Sequence, residues 1–176
     1  MTYFMLDSLI KSKTRLRLLI KFFISQANRG YLNGLASEMN ESTNSIRKEL
    51  NNLHDAGYLI KIKNENKIEY QANIKHPMFD IIKKVIHKHL GIEDMIDTVL
   101  NRMGNVKKII LVGDYARGID SGKIEAFLIG DNLDMEYITK LEIKVEKLIK
   151  RKISFYLANK FFGKQPYLIL FDDENK

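Results

Sequence analysis

The sequence predicts an α+β protein in two parts. A helical and basic N-terminal half closes on a β-hairpin, and a helical linker joins it to a small α/β domain. Three observations carry that prediction. Apolar residues recur at helical spacing as far as Ala56, and two β-rich runs then flank Asn64-Glu65-Asn66. From Lys107 the apolar period falls to two, and short strands alternate with an amphipathic helix. The net charge of +7 lies wholly in the first half: residues 1–90 hold 15 Lys/Arg against 8 Asp/Glu, and residues 91–176 hold 14 of each.

Residues 1–12 are apolar and polar by turns, and are expected to begin a helix that packs on the domain or on a second subunit. In the next segment Leu16, Leu19, Ile20 and Phe23 share one helical face, with Arg15, Arg17 and Lys21 on others. Thr14 is the expected cap of that helix, and Asn28-Arg29-Gly30 its end. Asn33 is the expected cap of a short helix whose inner face carries Leu35, Ala36 and Met39. Asn40 then falls where a tight turn between helices needs a left-handed residue. A second helix follows, with Ser42 as N-cap, Gly57 as stop, and Ile46, Leu50, Leu53 and Ala56 as its apolar stripe. Two short helices around such a turn make a helix-turn-helix, in which the second helix is the reader.

The other face of that second helix repeats Asn44, Arg47, Lys48 and Asn51 at i, i+3, i+4 and i+7. Every one can donate hydrogen bonds and two are cations. Asn suits adenine, Arg suits guanine, and either can hold a phosphate, so the face suits the major groove of duplex DNA. An isolated helix with these residues would more simply be amphipathic with a solvated polar side; its flanks shift the balance. In the hairpin, Ile60 and Ile62 alternate with Lys61 and Lys63, so one side is expected to pack and the other to be basic. Lys67 extends the basic edge.

The ordered set SKTRLRLLIKFF, GLASEMNESTNSIRKELNNLHDAGYL and the basic hairpin resembles the winged helix-turn-helix domain of ArsR- and MarR-type regulators. The resemblance covers roughly the first half of the chain. It implies a transcriptional regulator that binds double-stranded DNA, with Asn44, Arg47, Lys48, Asn51, Lys61, Lys63 and Lys67 as the contacting residues. The charge asymmetry agrees, since a basic module attached to a neutral domain is the electrostatic footprint of nucleic-acid binding.

His76-Pro77 opens a new helix, because Pro fits a first turn. Phe79, Ile82, Ile86 and Leu90 form its stripe, widened by Ile81 and Val85. After Gly91 a second helix carries Ile92, Met95, Ile96, Val99, Leu100 and Met103 on one face. A stripe this wide on a linking helix packs on a domain or a symmetry mate, so a homodimer is expected. His87-Lys88-His89 places two imidazoles at i, i+2, pointing apart and without a third ligand, so no metal is expected there. The expected domains are 1–75 (winged helix-turn-helix), 76–94 (helical linker) and 95–176 (α/β).

In the last of these, Ile109 to Val112 is a nearly continuous apolar strand, as in a sheet covered on both faces. Ile124 to Ile129 is a second strand, Met135 to Ile149 a helix with Ile138, Leu141, Val145, Leu148 and Ile149 inward, Ile153 to Leu157 a third strand and Tyr167 to Phe171 a fourth. Gly113-Asp114-Tyr115-Ala116-Arg117-Gly118, followed by Ser121 and a strand, resembles the nucleotidyltransferase superfamily, over roughly residues 95–173. Active members hold two Mg²⁺ ions on clustered carboxylates. Aligned on Ser121, the resemblance puts Lys123 and Glu125 at the first two metal positions, Ser154 at the third, and Asp114 where a phosphate-binding Ser belongs. The expectation is a nucleotidyltransferase-like fold without catalytic residues, metal or cofactor, serving assembly or the sensing of an effector that the sequence does not name. The alternative is an active nucleotidyltransferase with a metal cluster rebuilt from Asp114, Asp120, Glu125 and Asp131, its basic half binding RNA or protein. Against that cluster, Asp120 and Asp131 stand where loops favour Asp. A third class is an adaptor that binds no nucleic acid.

Composition narrows the rest. A chain of 176 residues with 45% hydrophobic content can bury one large core or two small ones. With no Cys there is no disulfide, thiol redox sensor or thiolate metal site. No run is long and apolar enough to span a bilayer, no signal peptide is recognisable, and a cytoplasmic protein without a membrane partner is expected.

Overall fold

The computed structural model describes residues 5–175. The chain divides into two compact units, one reaching Ile86 and the other running from His87. In the first, α1 (Met5–Leu9) and α2 (Lys13–Phe23) precede a short strand β1 (Arg29–Tyr31). Then come α3 (Leu32–Met39), α4 (Thr43–Asp55), β2 (Leu59–Asn64), β3 (Lys67–Ala72) and the start of α5 (Phe79–Leu90). The strands make a three-stranded antiparallel sheet in the order β1-β3-β2. This is the element order of a helix-turn-helix followed by a wing. The first four residues of the expected N-terminal helix lie outside the described residues; Leu6 of α1 is buried.

The order of burial in α2 differs from its sequence pattern. Leu16, Leu18, Ile20, Phe22, Phe23 and Ile24 are all buried, whereas Leu19 is only partly so. Most of the helix circumference is therefore inside, because α1, α4 and β3 pack round it. Its cap is Ser12, not Thr14: the Ser12 hydroxyl accepts from the Arg15 amide at 3.1 Å. Arg29 and Gly30 do not end the helix. They start β1, which three residues of β3 hold in register.

The turn between α3 and α4 and both ends of α4 follow from local residues. Asn33 caps nothing; Tyr31 occupies that position without a side-chain bond, and Leu35 and Ala36 of α3 are buried. Asn40 takes the left-handed conformation (φ 51°, ψ 48°), which an Asn tolerates better than a β-branched residue. Ser42 caps α4 by accepting from the Ser45 amide at 3.1 Å. Ile46, Leu50 and Leu53 are buried, but Ala56 is exposed at the C-cap. Gly57 (φ 82°) completes the stop: its amide reaches the His54 carbonyl, and the Tyr58 amide that of Leu53. That pair of bonds satisfies two carbonyls which the helix end leaves open.

In the second unit α6 (Ile92–Met103) precedes β4 (Val106–Val112), a single turn α7 (Gly113–Ala116), β5 (Lys123–Gly130), α8 (Ile138–Ile149), β6 (Lys152–Ala158), β7 (Leu168–Asp172) and a 3₁₀ turn. The sheet order is β6-β5-β4-β7, with β5 and β6 parallel and the other pairs antiparallel. Helices α6 and α8 pack on each other, on β4 and on β6, over a face bearing Ile109, Leu111, Ala126, Leu128 and Phe155. Ile110, Val112 and Ile129 of the opposite face are covered by Phe127, Ala158 and Phe161. So β4 is apolar on both sides because both are covered, one by helices and one by an aromatic loop. In α8, Leu141, Val145 and Ile149 are buried; Leu148, expected inside, is exposed. The helix starts at Ile138 rather than near Met135, because the Asp134 carboxylate first accepts from the Glu136 and Tyr137 amides.

Candidate nucleic-acid interface

On α4, Asn44, Arg47, Lys48 and Asn51 are all exposed, opposite the buried stripe. The Arg47 guanidinium donates to Asn44 Oδ1 at 3.2 Å, which aligns two of the four along the helix surface. The wing sits beside them, but with its faces exchanged. Cross-strand partners in the hairpin are Leu59 with Ala72, Lys61 with Tyr70, and Lys63 with Ile68. Partners share a face. Lys61 and Lys63 therefore lie on the side that Leu59, Tyr70 and Ala72 anchor in the core, whereas Ile60 and Ile62 lie on the other, where Ile60 is exposed. Isoleucines and lysines alternate as the sequence predicts, but buried Leu59 seats the strand and puts the lysines, not the isoleucines, on its own face. Lys67 belongs to the Ile62 face, opposite Asn64.

Of the wing lysines, Lys61 and Lys67 lie beside α4. Arg47, Asn51, Lys61 and Lys67 line one cleft of about 610 Å³, together with Tyr31, Asn33, Asn66, Ile68 and Tyr70. No carboxylate lines it. Asn44, Lys48 and Lys63 stand outside that lining. Lys61 Nζ lies 5.8 Å from the Tyr70 ring centroid, and Lys67 Nζ 5.8 Å from that of Tyr31. Burial pushes the Tyr70 phenol up, and the nearby Arg47 charge offsets part of that. The tyrosines, Ile68 and Asn66 were missing from the sequence reading. For Tyr70 a signal existed, since it alternates with Ile68 along β3. For Tyr31 there was none, because β1 itself was not recognised.

Four acidic residues are held in ion pairs by α2 and β1, whereas Glu65 stays exposed at the turn of the wing. Four basic residues there are paired, although Arg17 and Arg29 are exposed. Arg15 bonds to Glu49 at 2.8 Å, Arg17 to Glu41 at 3.1 Å, Lys21 to Glu38 at 2.9 Å and Arg29 to Glu69 at 3.2 Å. Four of the eight carboxylates in residues 1–90 are thereby neutralised within the fold. Glu49 is the most enclosed: Ser12 donates to its other oxygen at 2.8 Å. Burial raises its carboxyl, but the bonds from Arg15 and Ser12 outweigh that and hold it below the usual range.

In the second unit, the positions singled out on β5 and β6 are neighbours. Glu125 is flanked by Val112 on β4 and Ser154 on β6. Tyr156 donates to Glu125 Oε1 at 2.8 Å and Lys123 Nζ lies 3.7 Å from it. A Cβ on Gly113, which has φ 68°, would come within 2.6 Å of the same carboxylate. The four acids of the alternative metal cluster are not brought together. Asp114 pairs with Arg117, Asp131 with Lys107, and Asp120 with Arg151. Among the described residues no three His, Asp or Glu side chains converge on a metal position. His89 is buried, as a packing residue at the end of α5. Among the described residues no helix is long and apolar enough to cross a membrane.

No protein family matches the chain, and no curated protein sequence does. Two solved structures are similar to part of it. Reduced HlyU from Vibrio cholerae N16961 is 17% identical over 47% of this chain and 82% of its own, with a TM-score of 0.38. The AntR antimony-specific transcriptional repressor is 18% identical over 53% of this chain and 78% of its own, with a TM-score of 0.39. Likeness at this level assigns neither fold nor function to the chain.

Proposed function

We propose that the chain is a transcriptional regulator that binds duplex DNA with its N-terminal unit, as a homodimer, and that its C-terminal unit serves assembly or sensing without catalysis. The observation that carries the reading is the composition of one surface. Arg47 and Asn51 of α4 share one cleft with Lys61 and Lys67 of the wing, and Asn44, Lys48 and Lys63 are exposed beside it, while Glu38, Glu41, Glu49 and Glu69 are held in ion pairs. An acid-free strip of amides and cations on an exposed helix fits base edges and phosphates. The capped, glycine-stopped helix holds those side chains on a rigid element. The nucleotidyltransferase resemblance of the C-terminal unit rests on its sequence; of its three expected metal positions only Glu125 is a carboxylate, and a tyrosine and a lysine already engage it.

The test is fluorescence anisotropy with duplexes selected from a random pool. Arg47→Ala and Asn51→Ala should each reduce specific binding by about 1–3 kcal/mol if they read bases. Lys61→Ala or Lys63→Ala should weaken every duplex alike and lower the salt dependence. Equal affinity of the wild type and an Arg47/Lys48 double alanine variant would overturn the assignment.

A further inference from the structure

We propose that Tyr31 is a positioning residue of this surface: it holds the tip of the wing, through Asn64 and Lys67, in a fixed relation to the helix-turn-helix. The inference rests on the reading of the wing as a DNA contact, and it identifies what sets the wing's geometry.

The argument begins with burial. Residues 63–68 are all exposed, so the hairpin tip has no core of its own. Even Ile68, the one large apolar side chain there, is half in solvent. A two-stranded ribbon without a packed face is marginal in water and needs another hold. Two residues of the tip reach one side chain. Asn64 and Lys67 form the last rung of the ladder. The Asn64 side-chain amide donates to the Tyr31 hydroxyl at 3.4 Å, and Lys67 Nζ stands 5.8 Å from the centre of the same ring.

Tyr31 is itself well placed to act as an anchor. It is the last residue of β1, paired with Glu69 of β3, and the next residue, Leu32, begins α3. Its ring thus stands between the first helix of the motif and the far end of the wing. A tyrosine suits the task chemically: the flat ring offers a π face to an ammonium, and the hydroxyl at its end offers an acceptor to an amide. Lys61 has the same relation to Tyr70, but Tyr70 is a core residue at 7% exposure, so its loss would disturb folding. Tyr31 is only half-buried, and its role is separable from the core.

Two measurements test the proposal. In the free protein, ¹⁵N relaxation should show the amides of 64–67 more mobile in Tyr31→Leu than in wild type, with 59–62 unchanged. In duplex binding, Tyr31→Leu and Lys67→Ala should each cost about fivefold, the scale of one cation–π contact or one phosphate contact. The double variant should lose less than the product of the two losses, because the Tyr31–Lys67 contact is removed by either change. Tyr31→Phe, which keeps the ring, should retain the coupling to Lys67. Unchanged relaxation at 64–67, or a double variant that shows the product of the two losses, would overturn the proposal. If the wild type binds no duplex, the DNA reading falls by itself, and the relaxation data still decide whether Tyr31 holds the wing.

Discussion

Asp120 shows how far a single side chain can depart from what its position in the sequence suggests. It follows Gly118 in a loop, where Asp ordinarily makes turn bonds to the backbone. In the structure its carboxylate accepts from Arg151 Nη2 at 2.9 Å and Nε at 3.1 Å, and from the Tyr115 hydroxyl. Arg151 is buried, and also reaches Tyr115 Oη at 3.0 Å and the His89 carbonyl at 3.4 Å. Burial and the Asp120 charge push the Tyr115 phenol far above its ordinary range, so it stays a donor. Burial also raises the Asp120 carboxyl, but the bonds and charge of Arg151 outweigh this and leave it below 3.8. A depressed folded value means that the pair contributes fully above the unfolded value, and that its contribution is lost as pH falls through the folded one. Asp120→Asn strands a buried guanidinium. It should cost toward the lower end of about 3–5 kcal/mol at neutral pH, since Asp120 is partly solvated. The difference from wild type should narrow below about pH 4, as the wild type loses the charge that the variant lacks throughout. Urea unfolding of the two proteins from about pH 3 to pH 7 checks this; a difference independent of pH would contradict it. Nothing in the sequence links positions 115, 120 and 151, because the contact depends on β6 lying parallel to β5. The α4 face, by contrast, was legible residue by residue, since Ser42, Ile46, Leu50 and Gly57 depend only on local spacing.

At the scale of elements, some local signals hold and others do not: Ser12 replaces Thr14 as a cap, and Asn33 caps nothing. Helix ends written by Ser42, Asn40 and Gly57 came out as read, because a cap or a left-handed residue acts within a few positions. The face of β2 did not, because a strand's sides are set by what lies beneath Leu59, outside the strand's own alternation. Strand β1 was invisible, being three residues that acquire extended form by pairing with β3. Strands β5 and β6 carry a prediction of their own. Where the resemblance to nucleotidyltransferases would need carboxylates, they place Lys123, Glu125 and Ser154, with the Lys123 ammonium and the Tyr156 hydroxyl on Glu125. A triphosphate with Mg²⁺ needs several carboxylates acting through the metal. The purified protein should therefore transfer no nucleotide to protein, RNA or itself from any of the four triphosphates with Mg²⁺ or Mn²⁺. Labelled nucleotide incorporated by wild type and lost in Glu125→Ala would restore the enzymatic alternative.

For the whole molecule, the charge asymmetry takes on a narrower meaning once the ion pairs are known. The first 90 residues carry the entire net charge of +7. Half of their carboxylates are held in ion pairs by α2 and β1, so the remaining positive charge includes Arg47 and Lys48 of α4 and Lys61, Lys63 and Lys67 of the wing. An operator read by two copies of α4 requires a two-fold axis, and that requires a contact between copies. The sequence placed it on the helix that follows Pro77, and the side chains there supply a specific candidate. Ile81 and Val85, one turn apart on α5, are 52% and 43% exposed, and Ile74 and Met78 of the turn before the helix are 57% and 40% exposed. Apolar side chains so placed are uncommon on a surface that meets only water. Burying a side chain of this size contributes about 1.5–3 kcal/mol, and a two-fold axis counts each residue twice. Ile81→Glu with Val85→Glu should leave the fold intact, because neither residue is in the core, and should convert a dimer to a monomer in sedimentation at tens of micromolar. The same variant should bind a palindromic duplex more weakly while its affinity for a half-site is unchanged, since α4 and the wing are untouched. A wild type that sediments as a monomer with and without DNA, or a double variant that remains dimeric, would remove this face from the dimer.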